Sequence, residues 1–554
     1  MADPEKVAVD DKAVMGTTEV PAESTADEKS GGMDTLTQEL SRIGTSDYPT
    51  AFPLAMIIVA LVLAVLLSAL DMTIVATAIP KITDEFHSLD QVGWYGSAFF
   101  LCLAAFQSTW GKAFKYFPLK TMFLLAIFIF EIGSLICAVA QNSTTLIVGR
   151  AVAGVGGAGV ASGAYTIIGF SAPPAKRAAF TGIVGAAFGV ASALGPLLGG
   201  IFTTHLTWRW CFWINLPIGG VSGAIILFFF TTPKAATPQQ ATMKEKILQM
   251  DLPGTFIIMA ATICYLLAMQ WGGTTKSWSD GSVIACLVLF GLLVIAFVAV
   301  EYFQKDRALL QGRLLMDRTF MGVSFYIFVV AGAFFIILYY LPIYFQALKD
   351  VSAAKSGVNN LPLVIACSVF SVISGVLISI FGDYIIIMGV GSVLGSVGAG
   401  MIYTFNINTG SSAWIGYQVL IGAGLGFVFQ VPVIVAQATA KPSDLSSVSA
   451  MILFFQTIGG AIWISAAQAG FANKLLKTLP SKAPGVNPKL VVATGASELR
   501  SVFAAKDIPG VLSAYLDGLR VAFAISIALA CVSTVLVLAP RRQNIKGKMQ
   551  MGGA

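Results

Sequence analysis

The chain has 554 residues, of which 56% are hydrophobic and 11% charged, with a mean hydropathy of +0.81. Average soluble domains carry about 25% charged residues, so this composition excludes a water-soluble multidomain protein, whose surfaces it could not cover. The formal charge of +6 is uneven: residues 1–50 hold 4 basic and 11 acidic groups, net −7, and the remainder hold 30 and 17, net +13.

Residues 1–50 contain no apolar run and read as a disordered, acidic cytosolic tail with no cleaved signal peptide. From Phe52 to Pro540, apolar runs of about 20 residues recur, each long enough to cross a bilayer as a helix. The pattern predicts fourteen spans, at 53–79, 92–111, 120–140, 145–170, 179–203, 210–231, 252–271, 281–303, 319–345, 357–381, 384–405, 412–438, 447–471 and 518–540. An even count places both termini on one side. Loops on that side carry Lys112, Lys115, Lys120, Lys176, Arg177, Lys305, Arg307, Arg313 and Arg318, and the tail adds Arg541 and Arg542. The opposite loops carry only Lys81, Arg209, Lys276, Lys349 and Lys355, which makes the first side cytosolic. The 472–517 loop, with six basic residues, breaks this bias although it must face out.

A faint internal repeat pairs Arg150-Ala-Val-Ala-Gly154-Val-Gly156 with Gln418-Val-Leu-Ile-Gly422-Ala-Gly424. If they correspond, spans 1–6 match spans 9–14 and spans seven and eight are inserted. The expected fold is an all-α membrane protein of two six-helix halves around a midplane cavity. The halves are 51–232 and 319–540, joined by a 233–318 linker holding the inserted pair; the second half includes the 472–517 outer loop, and 541–554 is a cytosolic tail.

Asp71 lies inside span one. A carboxylate at the bilayer centre costs about 2.5–3.5 kcal/mol, so it faces a cavity or a partner. It reads either as a proton carrier or as a polar anchor bonded to a neighbouring helix. Glu131, in the middle of span three, is a second protonation candidate or a packing residue. Arg150 cannot lose its proton, so it must pair with a carboxylate or carbonyls, or snorkel to the headgroups. Gln107 in span two could bond a solute or another helix. Span five reads Gly195-Pro196-Leu-Leu-Gly199-Gly200, a small-residue face with a helix-bending proline that suits a tightly packed gate. Asn142-Ser143-Thr144 is a glycosylation sequon in a short outer loop.

Seven scattered cysteines and two histidines, His87 and His205, supply no metal set, and no GxxxxGK[ST] loop occurs. An enzyme is therefore not expected, nor a cofactor, a metal or a nucleic-acid partner. Any work must draw on an ion gradient.

The stretches Asp71–Pro80, Leu146–Gly159 and Gly185–Gly200 resemble three signatures of the major facilitator superfamily, in the order found in its fourteen-span drug:proton antiporters. Trp110-Gly111-Lys112, Phe130–Cys137, Trp208-Arg209-Trp210, Asn215-Leu216-Pro217 and Gln430-Val431-Pro432 are similar to fungal efflux pumps for secondary metabolites and toxins. The likeness covers about residues 50–540. One stretch departs: the loop usually written Gly-x-x-x-Asp-x-x-Gly-Arg-Lys is here Gly111-Lys-Ala-Phe-Lys115-Tyr-Phe-Pro118-Leu119-Lys120. The latch proposed for that loop therefore does not carry over, and the matching Phe381-Gly-Asp383-Tyr384 turn has no basic residue either.

The resemblance implies a monomeric, multi-pass plasma-membrane antiporter, or one of a vacuolar or vesicle membrane, that exports a small amphipathic compound in exchange for protons. Its implied partners are that solute, protons and the lipid bilayer. Asp71 and Glu131 would couple protons, Arg150 would be the electrostatic partner, Gly195, Pro196, Gly199 and Gly200 the gate, and Gln107 part of the solute cavity. Import of a siderophore or other small molecule, and a non-transporting sensor, are the alternatives.

Overall fold

A computed structural model describes residues 48–86 and 92–546, so the predicted acidic tail lies almost wholly outside the described residues, as does His87. The long helices, in chain order, are α1 (Ala51–Phe86), α2 (Val92–Tyr116), α3 (Leu119–Ala138), α4 (Ser143–Ser171) and α5 (Pro174–His205). After a short turn at Trp210–Trp213 come α6 (Asn215–Phe229), α7 (Leu252–Trp271), α8 (Gly281–Gln304), α9 (Arg318–Lys349), α10 (Leu361–Phe381) and α11 (Tyr384–Tyr403). The last three are α12 (Ser411–Phe429), α13 (Leu445–Lys482) and α14 (Ile508–Leu536). Among the described residues there is no strand beyond two isolated bridges.

Among the described residues, thirteen helical segments are long and apolar enough to span a bilayer; α2, which carries Gln107 and Lys112, is not among them. Large apolar side chains such as Ile295, Phe228 and Val535 point outward, as they do where lipid rather than water is the solvent. Short polar residues start the helices. Asn142, Asp280 and Asp317 each accept a bond from a first-turn backbone N–H of α4, α8 and α9, and Asp251 caps α7.

The faint sequence repeat has a packing basis. A Cβ on Gly154 of α4 would lie 2.4 Å from the Phe99 carbonyl oxygen of α2, and one on Gly156 would lie 2.2 Å from the Phe130 nitrogen of α3. In the second half, a Cβ on Gly422 of α12 would lie 2.4 Å from the Leu363 carbonyl oxygen of α10, and one on Gly424 would lie 2.2 Å from the Gly395 nitrogen of α11. Each helix thus sits between two neighbours at backbone contact, which only glycine permits. Gly156→Val is expected to cost at least about 1–3 kcal/mol through overpacking, read as a lowered melting temperature of the detergent-purified protein.

Between the halves, α7 and α8 lie at the periphery. Only Val283 and Phe297 of α8 are buried. α7 bonds to both halves: the Thr255 and Thr109 hydroxyls are 2.9 Å apart, and the Tyr265 hydroxyl donates to the Ile462 carbonyl at 3.1 Å.

The span expected at 412–438 is found at Ser411–Thr439, interrupted at Gln430 between α12 and a short helix Val431–Thr439, where Pro432 has no N–H to continue the ladder. α5 carries Pro196 inside its length, as its sequence led one to expect. The 472–517 connection is not all loop, since α13 runs on to Lys482 and α14 starts at Ile508. Two of its basic residues find acidic partners there, Lys482 with Asp517 at 2.5 Å and Arg500 with Asp350 at 3.3 Å, which offsets its excess charge.

Candidate functional site

The lone charges of the apolar runs converge. Asp71 of α1 and Arg150 of α4 form a fully buried ion pair between Asp71 Oδ2 and Arg150 Nη1. Arg150 Nη2 also donates to the Asp71 carbonyl at 3.2 Å and Nε to the Tyr95 carbonyl of α2 at 2.9 Å. The guanidinium lies over the Phe99 ring, 4.5 Å from its centroid. Asn215, at the start of α6, donates from Nδ2 to Asp71 Oδ1 at 3.2 Å and to Ser134 Oγ of α3 at 3.0 Å. One turn along α3 from Ser134 is Glu131, whose two carboxyl oxygens are buried without a hydrogen-bond partner against the bare backbone of Gly219.

The four α5 residues expected to form a gate divide between two faces. A Cβ on Gly195 would lie 2.0 Å from Thr73 Oγ1 and one on Gly199 would lie 2.2 Å from Thr77 Oγ1, so these two seat α5 on α1. Pro196 and Gly200 face the second half, towards Gly357 and Ala354. A cleft of about 380 Å³ opens at this end, lined by Thr73, Pro196, Tyr339, Gln346 and, from the 472–517 segment, Glu498. At the same end Arg209 donates to Glu85 at 2.9 Å and holds its carboxyl below the usual carboxylate range.

Deeper, Gln107 lines a central cavity of about 60 Å³ whose walls come from α1, α2, α4 and α5 of one half and α9, α12 and α13 of the other. Ser68 and Met72 reach this cavity from α1, within a turn of Asp71, while Asp71 itself does not line it. Asn142 is exposed and its Oδ1 accepts from the Thr145 N–H at 2.8 Å, so the sequon residue caps α4.

At the opposite end a polar recess of about 470 Å³ is bridged by ion pairs. Lys115 at the foot of α2 donates to Asp444 Oδ1 at 3.0 Å, and Arg313, from the linker after α8, grips both oxygens of Asp444 at 2.9 and 3.0 Å. Asp444 and Lys115 are buried, while Arg313 is half exposed. The residue that departs from the family loop is thus itself paired across the halves, with opposite polarity. The Asp383 turn draws its cation from the tail: Arg542 lies 3.7 Å from Asp383.

Asn215, Ser134, Asp444, Gln430 and Gln456 were not singled out as site residues by sequence reasoning. Asn215, Gln430 and Ser134 had a signal, the Asn215-Leu216-Pro217, Gln430-Val431-Pro432 and Phe130–Cys137 stretches.

A helical bundle with a midplane cavity between two halves, a cleft at one end and a buried charge pair beside it defines a multi-pass membrane transporter. Residues 61–464 match the Major Facilitator Superfamily, and the chain belongs to that family. It is 50% identical to the MFS-type transporter thnB of Trichoderma harzianum, over 87% of this chain and 83% of that one. It is 47% identical to the probable efflux pump gsfJ of Penicillium aethiopicum over 95% of each, and 44% identical to the MFS-type efflux pump MFS1 of Arthroderma benhamiae over 93% and 97%. Among solved structures, the proton:xylose symporter XylE shares the fold with a TM-score of 0.58 at 11% identity, covering 90% of this chain and 99% of that one. These relatives and this fold are transporters and not enzymes.

Proposed function

We propose that the protein is a proton-coupled antiporter that exports a small amphipathic organic compound, a fungal secondary metabolite or toxin, across the plasma membrane, with both termini cytosolic. The observation that carries the coupling is the buried Asp71–Arg150 pair on the helix that also walls the cavity. A proton taken up by Asp71 cancels its charge and weakens its hold on Arg150. α1 is then free to shift against α4, and Ser68 and Met72 move with it. Glu131, one turn along α3 from the Ser134 that shares Asn215 with Asp71, is the second proton site. The efflux direction is supported by relatives named as efflux pumps.

One charge moving through 100 mV yields about 2.3 kcal/mol, enough to sustain roughly a 50-fold gradient of a neutral solute. The test is flux in sealed vesicles with an imposed pH gradient. Solute movement is expected to run against the proton flow and to reverse when the gradient is reversed. Flux indifferent to pH and voltage would overturn antiport, and solute accumulating in the direction of proton flow would mean import.

A further inference from the structure

We propose that the central cavity recognises an uncharged, hydroxylated aromatic solute through three amides, Gln107, Gln430 and Gln456; this rests on the transport reading above and names its solute class. Gln107 comes from α2, Gln430 from the break after α12, and Gln456 from α13, so the three amides span both halves. The side-chain oxygens of all three are buried without a hydrogen-bond partner, and Gln107 and Gln430 are only 1% and 2% exposed. Unpartnered buried amide oxygens are costly, and proteins seldom retain them without something to bond. Space is kept for one of them: a Cβ on Gly185 of α5 would fall 2.3 Å from Gln430 Nε2.

The rest of the wall sets the class. Among the described residues no charged side chain lines the cavity, and Asp71 and Arg150, which do not line it, neutralise each other in a buried pair. An ion entering here would shed its water with no counter-charge to meet. Phe188, Phe335 and Phe429 meet edge to face, with centroids 5.9 and 6.3 Å apart along the series, and offer the geometry in which another ring packs. An amide can both donate and accept, so hydroxyl and keto groups on the ring edge are served alike. In the state described, 60 Å³ takes about two waters, at ~30 Å³ each, and the cleft above it must open inward for a solute to seat.

The test is calorimetric binding to the full chain in lipid nanodiscs, with no proton gradient. The probes are 2,7-dihydroxynaphthalene, 2,7-dimethoxynaphthalene, naphthalene-2-sulfonate and 2-naphthylmethylammonium. The diol is expected to bind most tightly, the dimethoxy ether more weakly, and the two ions not measurably. Gln107→Leu, Gln430→Leu and Gln456→Leu should each weaken the diol about tenfold. Gln456→Glu should gain binding of the ammonium probe, a result that a misfolded variant cannot give. No diol binding by the wild type, sulfonate binding equal to the diol, or diol affinity unchanged in all three leucine variants would each overturn the proposal. Antiport is absent from this readout, so diol selectivity with failed proton coupling would sink the coupling and leave the solute class standing.

Discussion

Asp71→Asn is expected to abolish proton-driven flux and also to destabilise the protein, and the two effects can be separated. Removing one member of a buried ion pair leaves the other charged and unpaired, which costs about 3–5 kcal/mol. Arg150 in that variant keeps its bond to the Tyr95 carbonyl but loses the carboxylate. The double variant Asp71→Asn/Arg150→Gln removes both charges and is expected to recover most of the lost stability, since a neutral hydrogen-bonded pair is often as stable as a buried ionic one. It should not recover coupling, because no group that exchanges a proton remains at the position. Melting temperature and vesicle flux, measured on the single and double variants together, decide the matter. A double variant that regains both would make Asp71 a structural anchor and move the proton to Glu131.

Asp444→Asn is expected to open the Lys115 end. Asp444 stands before α13 in the second half and is held by Lys115 of the first half and Arg313 of the linker, so three parts of the chain meet on one carboxylate. Its loss leaves the buried Lys115 ammonium unpaired only while this end is shut; once the halves part, water solvates it. The penalty therefore falls on one conformation alone. At about 3 kcal/mol, it shifts the ratio of closed to open forms about a hundredfold. Arg313→Gln should do far less, because a half-exposed partner is screened by water. Spin labels at Lys176 and Ile380, after replacement of the exposed Cys531, would report the separation of the two halves at this end. A long-distance population unchanged in Asp444→Asn would remove the latch role, and Asp444→Glu should behave as the wild type.

The charged part of the site was legible because isolated charges in apolar runs are expensive and must find each other. Asp71 and Arg150 could be named as partners without knowing how the helices pack. Asn215 and Ser134 could not be named as their partners, since uncharged polar residues are cheap enough in a span that only the stretches around them stood out. Lys115 was visible only as a misfit in its loop; its partner lies 329 residues away and in no apolar pattern. Helix ends beyond the bilayer were equally hidden. α13 passes its expected end at 471 because its last turns are amphipathic and exposed to water, where hydropathy falls but helix geometry continues. The break at Gln430 was readable from Pro432, yet its use, placing an amide at the midplane, follows only from the tertiary packing.

The inserted helices give the molecule an unequal pair of edges. With α7 bonded at Thr255 to α2 and at Tyr265 to α13, that side of the molecule is strapped, and α8 lies outside it like a second skin. Rocking of the halves is then a door on one set of hinges. The other edge, between α5 and α10, is closed at backbone contact, where a Cβ on Gly375 would fall 2.3 Å from the Ala178 carbonyl oxygen, so one flank is held by hydroxyl bonds through an added helix and the other by bare glycine packing.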